Sequence, residues 1–236
     1  MPTTPQGFQI RTDLLKAELV EQSRRVQSII EAAFEAVFDR NVARVDEVNA
    51  KDDEIDRADV ALERAAVALL ADATSAGASL DEAHLRLVLT IVKINNDLER
   101  AADAAVDVAA LVQNLKNLRE PFPDTFRMMA NSVIGIVRDS SAAFHRADPA
   151  LAKVTLQSQH AVTEFKNAII RDAEDQIARG KMHVDFAFHL HEIASLAELI
   201  ADHCTNICEQ VIYQLTGSIV RHTATEWIEI NPTTRH

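Results

Sequence analysis

The chain has 236 residues, of which 47% are hydrophobic, and its 36 acidic side chains outnumber 24 Lys and Arg for a formal charge of −12. That balance excludes a nucleic-acid surface, whose phosphates an acidic protein repels, while leaving cations and basic proteins as partners. Five Gly, six Pro and an abundance of Ala, Leu, Glu, Asp, Arg and Val favour helix over sheet.

A helical period begins at Arg11 and runs through Leu15, Leu19, Val26, Ile29, Ala33 and Val37, ending near Asp39 to Asn41. A second helix follows through Val45, Val48, Ile55, Leu62 and Leu69 and stops between Ala73 and Gly77. Ser79, three residues before Glu82, reads as a capping box that opens a third helix. Pro121 and Pro123 in REPFPD end it by Arg119 and mark a seam. The fourth helix carries Phe126, Met129, Val133, Ile136 and Phe144, and Asp148-Pro149 is an N-cap followed by proline at the first helical position. A fifth runs from there to Arg179 with Gly180 as its stop, and a sixth spans about His183 to Leu215. No strand pattern competes, and the tail after Gly217, with the single Trp227, carries no sign of chemistry. The N-terminus lacks the charged and apolar regions of a signal peptide, and no apolar run approaches the length of a membrane span, so a cytoplasmic protein is expected.

The third and sixth helices are copies of one another. KINNDLERAADAAVDVAALV, starting at Lys93, recurs more loosely as HEIASLAELIADHCTNICEQ, starting at His191. Glu99, Asp103 and Asp107 correspond to Glu198, Asp202 and Asn206, and each trio is spaced by four, which stacks it on one helical stripe. The opposite stripe is apolar in both copies. Repetition at this distance predicts a duplicated antiparallel three-helix bundle: residues 8–120, then 123–217, then a tail over 218–236, with helices spanning roughly 45 Å.

The second helix adds Asp52 and Asp56 at the same spacing, followed by Asp59 and Glu63. Helices joined by a short loop run antiparallel, so residues equidistant from the turn lie level. With the turn at Gly77, Asp56 meets Glu99 and Asp52 meets Asp103. Four carboxylates so close repel unless protonated or neutralised by a cation, and an all-oxygen set suits Fe, Mn, Mg or Ca better than Zn. About a turn at Gly180, Glu198 is level with Thr163 and Asp202 with Gln159, both neutral; His160 and Glu164 are the adjacent substitutes. A stronger cation site is therefore expected in the first half. The bland alternative is a solvated acidic face whose charges are met by Arg57, Arg64 and Arg100. His183, His189 and His191 do not share a helical face and read as ordinary histidines. Cys204 and Cys208 read as free, packed thiols, because a disulfide four residues apart on a helix is distorted and closes almost no loop.

Asp97 to Ala109 resembles the D-L-E-R-I-x-D-H-A-x-N-I-A signature of the PhoU family of phosphate-transport regulators, and Glu198, Asp202, His203, Asn206 and Ile207 repeat it. Val211 to Gly217 is similar to the close of that family's last helix. Departures are Ala104 for the usual His, Asp107 for the usual Asn, and the lost Asp-Leu-Glu-Arg of the second copy. The resemblance implies an all-α, tandem three-helix fold and iron or zinc binding in some members through these motifs, carried here by Asp52, Asp56, Glu99, Asp103, Glu198 and Asp202. It further implies a non-enzymatic regulator, with which the lack of a nucleophile-base set is compatible, that contacts the ATPase subunit of the phosphate ABC transporter and a sensor histidine kinase, and that forms homodimers. A carboxylate-bridged di-metal oxidase is the competing enzyme; it requires Glu-x-x-His, and none of the nine histidines has Glu three residues before it. A metal-free helical scaffold is the third reading.

Overall fold

The computed structural model describes residues 4–78, 80–222 and 227–230. The chain forms α1 (Pro5–Asp39), α2 (Ala43–Ser75), α3 (Glu82–Ala110), the single turn α4 (Val112–Leu115), α5 (Asp124–Arg146), α6 (Pro149–Ala178) and α7 (Val184–Thr216). A two-stranded antiparallel hairpin, β1 (Ile219–His222) and β2 (Trp227–Ile230), follows. The architecture is all-α, two antiparallel three-helix bundles in tandem, with the longest helices about 50 Å at 1.5 Å per residue.

Local chemistry accounts for the ends. Thr4 caps α1 by accepting from the Gly7 N–H, which starts the helix earlier than its hydrophobic period does. Asp81, one residue before Glu82, caps α3 by accepting from the His84 N–H, so the cap is an Asx cap at 81; the Ser79 of the expected box lies outside the described residues. Asp148 caps α6 as expected, accepting from Ala150 and Leu151. Gly77 and Gly180 take positive φ after α2 and α6, the left-handed step that ends both helices at little cost. The third helix does not reach Arg119 unbroken: it stops at Ala110 and resumes for one turn.

Within each half the three helices pack on one another, and the halves join through α3 against α7 and α1 against α5. Their shared core includes Leu19, Phe34, Ile91, Ile94, Leu98, Phe126, Leu190, Ile200 and Ile207. The seam is fastened by Arg40, in left-handed conformation at the end of α1. Its guanidinium donates to the carbonyls of Leu118, at 2.6 Å, and Glu120, and lies over the rings of Phe122 and Phe186. Phe122 in turn packs with Phe38 and Phe126 in a cluster of three rings. Among the described residues no helix is long and apolar enough to cross a membrane.

The hairpin corrects the expectation of a strandless tail. Ile219 pairs with Ile230 and Val220 with Glu229, and buried Val220 joins the core beside α7. The signal was present in IVRH and WIEI, two short segments rich in β-branched residues.

Candidate functional site

The apolar stripe of α2, with Val48, Ile55, Leu62, Ala66 and Leu69 buried, turns its acidic residues to the flank facing α3. On α3, burial of Ile91, Ile94, Leu98, Ala101, Ala105 and Val108 does the same for Glu99, Asp103 and Asp107. The register between them is set by Asn95, whose side-chain amide donates to the Asp59 carboxylate at 2.6 Å and to its carbonyl at 3.2 Å. Asp59 and Asn95 are equidistant from Gly77, so the helices meet level as antiparallel packing requires.

The carboxylates consequently feel one another. Burial, then Asp56, Asp103 and Asp53, pushes the Asp52 carboxyl up to about 6. Burial followed by Asp103, Asp59 and Asp56 raises Glu99, with Arg100 opposing. Burial followed by Asp56 and Asp107 raises Asp103, against a hydrogen bond with Glu99 and the Arg100 charge. Asp59 is raised by burial, Glu63 and Asp56. Across the two helices Asp52 is thus raised by Asp103, Asp103 by Asp56, and Glu99 by Asp59 and Asp56. Among the described residues Arg57, Arg64 and Arg100 form no ion pair with this patch. One Asp52 oxygen, Oδ1, is buried and accepts no hydrogen bond. These hard oxygen donors, one of them without a partner, fit a cation chemically. Among the described residues, however, no three His, Cys, Asp or Glu side chains converge as a ligand set.

The second half is built differently. Glu198 accepts from Thr163 Oγ1 at 2.7 Å, and Asp202 accepts from the Gln159 amide, the two level partners expected about Gly180. A residue absent from the sequence-derived set completes the arrangement: Lys166 Nζ lies 2.6 Å from Glu198 Oε2. Lys166 is one turn from Thr163 on the same face, a spacing that could have exposed it. His160 and Glu164 are exposed. The stripe's third member, Asn206, reaches across to the other half: its amide donates to Asp97 Oδ1 at 3.1 Å, and His203 Nδ1 is 3.3 Å from the same oxygen. Its counterpart Asp107 is exposed on α3, and the counterpart of His203 is Ala104, only 1% exposed. The duplication is thus asymmetric both in its acid sets and at the α3–α7 junction.

Cys204 and Cys208 are free and buried, as packing predicts. Burial pushes the Cys204 thiol up to about 12, far from a nucleophile's range. His183 and His191 are exposed, and His189 lies 3.7 Å from Glu192.

The model of the family described as PhoU domain matches residues 19–112 and again 126–211. The chain belongs to the PhoU family. A phosphate-specific transport system accessory protein PhoU homolog of Aquifex aeolicus is 30% identical over 209 residues, 88% of this chain and 92% of that protein. PhoU homolog 1 of Thermotoga maritima is 30% identical over 135 residues, a match spanning 56% of this chain and 58% of that protein. The PhoU crystal structure from Streptococcus pneumoniae superposes with a TM-score of 0.83 at 21% identity, covering 91% of this chain and all (100%) of that one. That from Pseudomonas aeruginosa gives 0.82 at 24%, covering 89% and 99%. These structures establish the fold; the two family matches coincide with the two helical bundles.

Proposed function

We propose that this chain is a non-enzymatic regulator of phosphate uptake, a negative regulator of the phosphate-starvation response. In this reading it works in the cytoplasm as a homodimer, contacting the ATPase subunit of a phosphate ABC transporter and a sensor histidine kinase, and holds the kinase in its repressing mode when phosphate is plentiful. The observation that carries the reading is the near full-length similarity to a protein named as an accessory of phosphate-specific transport. Buried, protonated cysteines and long packed helices support a docking protein rather than a catalyst. Deleting the gene should derepress phosphate-starvation genes in phosphate-rich medium; unchanged expression overturns the proposal.

Asp52, Asp56, Glu99 and Asp103 would form the metal-binding patch, taking Fe, Mn, Mg or Zn through carboxylate oxygens. Glu198 and Asp202 contribute less in this proposal, because Lys166 already supplies a positive charge there. Elemental analysis of protein purified without chelator, compared with an Asp52→Asn/Asp103→Asn variant, tests this: metal lost in the variant supports it, and equal metal in both sinks it.

A further inference from the structure

We infer that the groove between α6 and α7 beside the Gly180 turn is a docking site for a basic amphipathic helix of a partner protein. Ile169, Ile170, Ala173 and Ile177 on α6 face Val184 and Phe188 on α7 across a cavity of about 180 Å3. Phe188 is 67% exposed and Val184 49%, so two large apolar side chains stand in solvent at its mouth. A groove about two turns long between parallel ridges is the shape that receives another helix's apolar stripe.

Charge selects the occupant. Glu174 lines the groove, and Asp185 and Glu192 lie one turn to either side of Phe188. His191 also lines the groove, and Arg171 lies one turn from Glu174; at the turn Arg179 is paired with Asp175 and Lys181 is exposed, and Lys166 at the other end is held by Glu198. A second copy would bring the same acids against themselves, on chains that each carry −12. The described hairpin lies away from the groove, following the far end of α7 about 50 Å off. Phe8 of the N-terminal segment packs on His84, also at that far end. A helix with an apolar stripe flanked by Lys or Arg satisfies both the groove and its rim. The inference does not depend on which protein supplies that helix, so it stands or falls separately from the phosphate-regulator reading.

The test titrates the full chain into a fluorescent amphipathic peptide of Leu and Lys, a Leu and Glu peptide with the same apolar stripe, and a scrambled Leu and Lys peptide, reading anisotropy. The first should bind, with the other two weaker; Phe188→Ser should weaken binding about tenfold. Val154→Ser, at an equally exposed apolar site on α6, should leave it unchanged and controls for general stickiness. Because Phe188 is largely exposed, its variant retains the fold, checked by circular dichroism. Equal binding of the Leu and Glu or scrambled peptide, no effect of Phe188→Ser, or a dimer abolished by Phe188→Ser would overturn the inference.

Discussion

Replacing Lys166 by Met removes the ammonium 2.6 Å from Glu198 while keeping most of the alkyl stem. The side chains of Lys166 and Glu198 are 22% and 19% exposed, so the abandoned carboxylate is largely shielded from water. Breaking a fully buried pair costs about 3–5 kcal/mol and an exposed one under about 1. Partial exposure and the surviving 2.7 Å bond from Thr163 place this case between them, at about 1.5–2 kcal/mol. For a chain of this size that is a fall in melting temperature of roughly 3–8 °C. Urea unfolding of Lys166→Met, Glu198→Gln and the double variant completes a cycle, in which the double variant should recover about 1 kcal/mol because no charge is left unpaired. Millimolar Mn2+ should raise the melting temperature of Lys166→Met more than that of the parent, as a cation takes the ammonium's place. A loss below about 0.5 kcal/mol, the level of a surface pair, would refute the view that Lys166 neutralises the second acid set.

Three further outcomes follow from the geometry. Asp52 has its folded carboxyl raised to about 6, above its ordinary value; the folded state binds the extra proton between about pH 4 and 6, so this patch adds stability on acidification and loses it as pH rises through 6. Asp52→Asn should therefore stabilise the protein at pH 7.5, by up to about 1 kcal/mol after screening, and flatten its melting temperature between pH 5 and 7.5; an unaltered profile would contradict the assignment. Arg40→Ala removes two donors from seam carbonyls and the ring contacts with Phe122 and Phe186, and should cost about 2–4 kcal/mol in denaturant unfolding. Cys204 and Cys208, buried and free, should react with an aromatic disulfide reagent only on unfolding; prompt labelling of folded protein would show that the α5–α7 core opens.

Much of the candidate site was legible because helices obey two simple rules. A spacing of four stacks side chains, and a short turn makes its neighbours level, so Asp52, Asp56, Glu99 and Asp103 could be placed opposite one another before any coordinates. The same rules put Thr163 beside Glu198 and Gln159 beside Asp202. Lys166 escaped because a long flexible side chain reaches past its own level, so equidistance from the turn does not find it. The bonds of Asn206 and His203 to Asp97 escaped for another reason: they join the two halves, whose relative placement depends on packing rather than on any turn.

Residue order alone determined the six long helices, their duplicated pattern, the turns at Gly77 and Gly180, and the acid stripes, since each depends on neighbours within a few turns. Only the tertiary structure decided that α3 lies against α7, that Arg40 fastens the seam, that one acid set gains a lysine while the other faces its own charge, and that Phe188 is left in water. Those outcomes rest on contacts between residues up to about a hundred positions apart, where burial and shape select among many arrangements that share the same local periodicity.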